Sequence, residues 1–150
     1  MKNKVPLILN VYRIWADGFL NKLGYTVYHT AIEFEQIEYG YGRVINEDLG
    51  EMECGIYEIE PMSYKYGEFI ESILLDYIEV KHKCKFYEIL QNLKNSYLSS
   101  KYNLLINNCN HFSDDFLRQI LNKSLPSKYY SKCISIIDFI KKLFWSLNKY

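Results

Sequence analysis

The chain has no net charge, no long apolar run, no Cys-x-x-Cys pair and no internal repeat or low-complexity linker. Eighteen basic residues balance eighteen acidic ones, so the basic footprint of a nucleic-acid binder is missing and no nucleic-acid partner is expected. No stretch reaches the roughly 20 apolar residues of a membrane helix, and no membrane span is expected. No signal peptide is expected, since Lys2 and Lys4 are followed only by a short apolar run broken by Asn10 and Arg13. The four cysteines, Cys54, Cys84, Cys109 and Cys133, are widely spaced and form no disulfide pattern, which suggests a reducing compartment, the cytoplasm with the nucleus as a second location. His82 and Cys84 make an isolated His-x-Cys, too little for a zinc site, so neither a metal nor another cofactor is expected. Arginine is scarce beside abundant lysine, asparagine, isoleucine and tyrosine, and no function is read from that bias.

What is present suits one globular domain spanning residues 1–150. The chain is 49% hydrophobic and 17% aromatic, with 15 tyrosines, and it is long enough to bury a core without staples. A coarse pass along the chain predicts strands at 5–12, 25–34, 37–41, 55–59 and 69–80, the second rich in β-branched and aromatic residues. A helix is expected over 84–97, with Phe86, Ile89, Leu90, Leu93 and Tyr97 on one face. A short strand is expected over 101–106. Phe112, Phe116, Leu117, Ile120 and Leu121 then recur at helical spacing. A last amphipathic helix is expected over 131–147, carrying Ile134, Ile137, Ile140, Phe144 and Leu147.

The segment from Asn107 to Phe116 carries the chemistry. Cys109 falls where that apolar stripe begins, so its thiol meets the unpaired amides and positive dipole end of a helix. Both favour a thiolate and should lower its pKa from roughly 8.5. A nucleophile needs a base, and the chain has three histidines. His111 lies two positions from Cys109, and side chains two apart on a helix do not face each other, so it is expected to pack or cap the first turn. His82 sits in the basic run Lys81-His82-Lys83 and is expected at the surface. His29 lies in a predicted strand, a rigid element able to present a base from across the fold. It is the candidate base, with an ordinary core histidine as the structural alternative.

Tyr28-His29-Thr30-Ala31-Ile32-Glu33, Tyr39-Gly40-Tyr41-Gly42 and Asn108-Cys109-Asn110-His111-Phe112-Ser113 together resemble the PPPDE family of permuted-papain-fold cysteine peptidases, known as deSUMOylating isopeptidases. The histidine precedes the cysteine by 80 residues, the family's order. The resemblance runs over residues 5–130, including Leu125-Pro126-Ser127. It departs from the family at Tyr28, where tryptophan is common, and at Arg43 to Asp48, where glycines are expected. The resemblance implies an α+β permuted papain-like fold, a small, mostly antiparallel sheet or barrel packed against helices that include the cysteine-bearing one. It implies cleavage of a ubiquitin-like modifier, SUMO or ubiquitin, from substrate lysines, with Cys109 and His29 catalytic and Tyr28 and Tyr41 lining a narrow groove. It leaves a homodimer open.

In this chemistry His29 deprotonates Cys109 and later protonates the leaving amine. The Cys109 amide is the first oxyanion donor, with Asn108 or Asn110 as a second. No third residue stands out to hold the imidazole. Acyl transfer or thioester hydrolysis of the lecithin:retinol acyltransferase or S-depalmitoylase type competes, because it uses the same cysteine in a similar block. Asn110 in place of that family's glutamate, and Asp138, Lys141 and Lys142 in the last helix, weigh against it. A non-catalytic modifier-binding module is the alternative from outside enzymology.

Overall fold

The segments rich in β-branched and aromatic residues form five strands: β1 Lys4–Ile14, β2 Val27–Phe34, β3 Ile37–Tyr41, β4 Ile56–Ile59 and β5 Gly67–Glu79. Two α-helices follow, α1 Lys83–Ser96 and α2 Cys109–Leu121, with short 3-10 turns at Val80–His82 and Ser99–Lys101. The structure is a computed structural model that describes residues 3–14, 26–42, 54–104 and 106–129. The helix expected over 131–147 and the segment from Arg43 to Asp48 lie outside the described residues.

The strands form one antiparallel sheet in the order β4-β3-β2-β1-β5. Among the described residues the sheet is open, with β4 and β5 at its edges and no closure into a barrel. β2 turns into β3 through Glu35 and Gln36, both at positive φ (51° and 63°), the conformation that a two-residue hairpin of matching twist demands. Neither is a glycine, so the turn is strained. Glu35 offsets this by docking on α1, where its carboxylate meets Lys83 and accepts a 2.6 Å bond from the Tyr87 hydroxyl.

One face of the sheet carries the core. Leu7, Leu9 and Val11 of β1, Ile32 and Phe34 of β2 and Tyr39 and Tyr41 of β3 pack on Phe86, Ile89, Leu90 and Leu93 of α1 and Phe112, Phe116 and Leu117 of α2. The apolar stripes read from the sequence are the buried faces, with Ile120 and Leu121 at the margin. α2 stops at Asn122, whose left-handed backbone (φ 54°) lets its N–H reach Arg118 O and Leu117 O.

Among the described residues the strand expected over 101–106 does not form. Asn103 and Asn107 instead close a tight loop through two backbone bonds of 2.9 Å. The Asn103 side chain also accepts from the Ile106 amide at 3.3 Å, a local bond that competes with any ladder. Leu104 and Ile106 are left exposed. Cys109 is therefore reached from a loop.

The opposite face of the sheet is polar and aromatic. Asn10 and Tyr12 of β1, His29 of β2, Glu38 and Gly40 of β3 and Tyr57 of β4 stand on it by strand alternation. The segment after β4 folds back across them: the Met62 amide bonds Glu38 at 3.0 Å, and the Tyr64 ring lies on His29.

Candidate active site

The start of α2 is built around Asn108. Its side-chain oxygen accepts from the amides of Asn110 (2.9 Å) and His111 (3.3 Å), while His111 Nδ1 accepts from the Asn108 amide at 3.2 Å. This reciprocal capping box satisfies donors that a helix start leaves orphaned. It gives His111 the capping role expected of it. Partial burial also lowers the pKa of His111. The Asn108 amide group donates to Leu104 O at 2.6 Å, tying the helix start to the preceding loop.

The parting of two strands admits this helix end to the sheet. β2 pairs with β3 only from Ile32↔Tyr39 to Phe34↔Ile37. Beyond that point the Tyr28 carbonyl accepts from the Asn110 side-chain amide at 3.1 Å, and the Thr30 hydroxyl bonds the side chains of Asn110 and Ser113, each at 2.9 Å. Asn110 thus replaces a strand neighbour and clamps α2 to the residues on either side of His29. Both asparagines are buried and have structural bonds, so the structure gives them positioning work at the cysteine's turn.

Cys109 is the first residue of α2 and is buried, with 5% of its surface exposed. His29 is 3% exposed and sits directly across from Tyr12 in the β1–β2 register. Its ring lies in an aromatic box. Tyr64 stacks on it at 4.2 Å with 7° between planes, Tyr12 lies at 5.9 Å, and the Tyr57 hydroxyl is 2.6 Å from its Nε2. Removal from water pulls the His29 pKa down to about 3, so the imidazole is neutral near pH 7. Burial raises both Tyr57 and Tyr64, the latter to about 12, and negative charge on Cys109 adds to the rise in each. Cys109 thus lies within electrostatic range of the two tyrosines that flank His29.

Behind the box lies a buried carboxylate. Glu38 Oε2 accepts from Asn10 Nδ2 (2.7 Å), the Tyr12 hydroxyl (2.6 Å) and the Met62 amide. Burial and this carboxylate push Tyr12 far above the usual phenol range. The network fixes the Tyr12 ring, which forms one wall of the box around His29.

A cavity of about 670 Å³ opens beside Tyr57 and Tyr64, walled also by Tyr41, Gly42, Tyr66 and Tyr102. Tyr41 is on this wall, with its hydroxyl bonded to Leu98 O (2.9 Å) and Asn107 Nδ2 (3.2 Å). Tyr28 is not. Adjacent residues on a strand point to opposite faces, and the Tyr28 ring packs edge-on against Tyr129 at 5.5 Å, on the side away from His29. The Tyr28 ring thus stands on the sheet face opposite His29.

Sequence reasoning missed Tyr57, Tyr64 and Tyr12. With 15 tyrosines in the chain, none stood out. One signal was available, because a glycine inside a strand marks a close approach. Gly40 pairs with Tyr57, and a Cβ on it would lie 2.2 Å from the phenol oxygen.

His82 is exposed at the turn before α1. Among the described residues no group of three or more His, Cys, Asp or Glu side chains could hold a metal. No described helix is long and apolar enough to cross a membrane.

The PPPDE putative peptidase domain matches residues 5–142. A DeSI-like protein of Arabidopsis thaliana is 30% identical over 122 residues, covering 81% of this chain and 52% of that protein. The desumoylating isopeptidase 1 homolog of Caenorhabditis elegans is 27% identical over 126 residues, covering 83% of this chain and 37% of that protein. The chain thus spans about half or less of the length of these relatives. With the family's domain matched along nearly all of its length, in a sheet-and-helix fold that carries the cysteine at a helix start, the chain belongs to the PPPDE peptidase family.

Proposed function

We propose that this chain is a cysteine isopeptidase that releases a ubiquitin-like modifier, SUMO or ubiquitin, from substrate lysines, with Cys109 as nucleophile and His29 as general base and acid. The observation that carries the reading is the aromatic box around the base: the His29 ring rests on Tyr64 and bonds Tyr57, and Cys109 at the start of α2 lies within electrostatic range of both phenols. The name of the nematode relative supports the modifier as substrate class. The tyrosine-walled cavity beside the box suits a slender, extended tail. Free thiols and this substrate class favour action in the cytoplasm or nucleus.

The neutral imidazole shapes the chemistry. A buried thiolate–imidazolium pair is costly to form at rest, so the thiol proton moves to His29 as sulfur attacks the isopeptide carbonyl. The oxyanion faces the start of α2, where the Cys109 amide donates, and the Asn108 and Asn110 bonds hold that turn in place. His29 gives the proton to the lysine amine as the C–N bond breaks. A water then attacks the thioester, passing its proton to His29 and from there to the departing sulfur. SUMO and ubiquitin carrying C-terminal thiol-reactive warheads test the reading. A modifier adduct mapped to Cys109 is the expected result. Hydrolysis of a palmitoyl-thioester probe without modifier labelling would select the acyl alternative, and labelling by neither would leave the binding module.

A further inference from the structure

Papain-like sites usually orient their histidine with a third side chain, and here the ring's second partner is a phenol. Tyr57 Oη lies 2.6 Å from His29 Nε2, with 19° between the two ring planes. The approach is built into the sheet. Gly40 is the register partner of Tyr57, and a Cβ there would stand 2.2 Å from the hydroxyl and 2.3 Å from Cζ, so a side chain at position 40 would expel the phenol. Tyr64 closes the other side, nearly parallel to the Tyr57 ring at 5.8 Å. The hydroxyl is therefore held from the strand below and from the crossing segment above.

Resting on the proposed Cys109–His29 chemistry, we infer that Tyr57 is the positioning residue of this site: its hydroxyl oxygen accepts from His29 Nε2–H, fixing the tautomer whose bare Nδ1 faces the thiol. The same acceptor holds Nε2–H when Nδ1 receives the proton from sulfur, so charge arriving on the ring meets an oxygen already in place. A phenol serves where other sites use an amide or a carboxylate. Burial raises the Tyr57 pKa well above the usual phenol range, so it stays neutral and orients the ring without ionising.

Tyr57→Phe keeps the ring over Gly40 and removes only the oxygen. Hydrolysis of a fluorogenic SUMO conjugate and nitrogen-15 NMR of labelled histidine are measured on the same samples. The expected result is a kcat lower by about tenfold to a hundredfold at nearly constant KM, together with a His29 signal that changes from a pure Nε2–H tautomer to a mixture. A loss of kcat with the tautomer unchanged would overturn the inference, as would a tautomer change with kcat intact or no change in either. His29→Ala separates this failure from that of the parent reading. If His29→Ala retains turnover, the dyad itself falls; if it is inactive while Tyr57→Phe behaves as wild type, only the role of Tyr57 falls.

Discussion

Burial of a neutral histidine makes the fold sensitive to mild acid, with a size that follows from the structure. His29 is 3% exposed and titrates at about 3 in the folded chain, against roughly 6.5 when unfolded. Because the folded pKa is the lower, the unfolded chain binds a proton first as pH falls. Stability contributed by the neutral ring is complete above about pH 6.5 and is lost progressively down to about pH 3. Each pH unit within that window costs about 1.4 kcal/mol, so going from pH 7 to pH 5 should cost about 2 kcal/mol through this residue alone. Partly buried His111 contributes in the same direction. A matched variant cancels it, along with any carboxylates titrating in the range. His29→Gln is uncharged and its amide can still reach the Tyr57 hydroxyl. Urea unfolding of both proteins at pH 7 and pH 5 gives the four free energies required. The wild type should lose about 2 kcal/mol more than the variant. Equal losses would refute the burial argument, and so would a His29 proton resonance that titrates near pH 6.

Other perturbations probe the surrounding framework. Gly40→Ala places a methyl 2.2 Å from the Tyr57 hydroxyl; it should cost about 1–3 kcal/mol by overpacking and lower turnover, and in a Tyr57→Ala background the stability cost should largely vanish in a double-mutant cycle. Asn108→Ala removes the cap of α2 and the bond to Leu104 O; calorimetry should show a loss of about 1–2 kcal/mol, with turnover falling as the cysteine's turn loosens. Thr30→Val removes both hydroxyl bonds that tie β2 to α2; it should cost about 1–3 kcal/mol by chemical denaturation, since the Asn110 and Ser113 oxygens lose a buried partner.

Much of the sheet was legible because its strands are rich in β-branched and aromatic residues. β1, β2, β3, β4 and β5 fall within a few residues of the expected strands, and the buried faces of α1 and α2 are the stripes read from the sequence. The run Leu104-Leu105-Ile106 misled, because apolar content alone does not make a strand when flanking asparagines can close a loop. At the site, the helix-start cysteine and the capping histidine followed from local rules. The box around His29 did not, since it is assembled from β1, β2, β4 and the segment crossing the sheet, contacts between residues far apart in sequence. Tyr28 shows a rule left unused: if His29 faces the groove, its strand neighbour cannot. The same rule, applied from Gly40 across to β4, would have pointed to Tyr57.

The most direct test of Cys109 and His29 as the hydrolytic pair is turnover of a SUMO- or ubiquitin-conjugated substrate by Cys109→Ser, His29→Ala and His111→Ala, with the fold of each variant checked by thermal unfolding. Cys109→Ser and His29→Ala should be inactive, the former within about 1 kcal/mol of wild-type stability. His111→Ala should keep substantial activity with a modest loss of stability from the broken capping box. A silent His111→Ala beside an active His29→Ala would contradict the assignment of the base and, with it, the proposed mechanism.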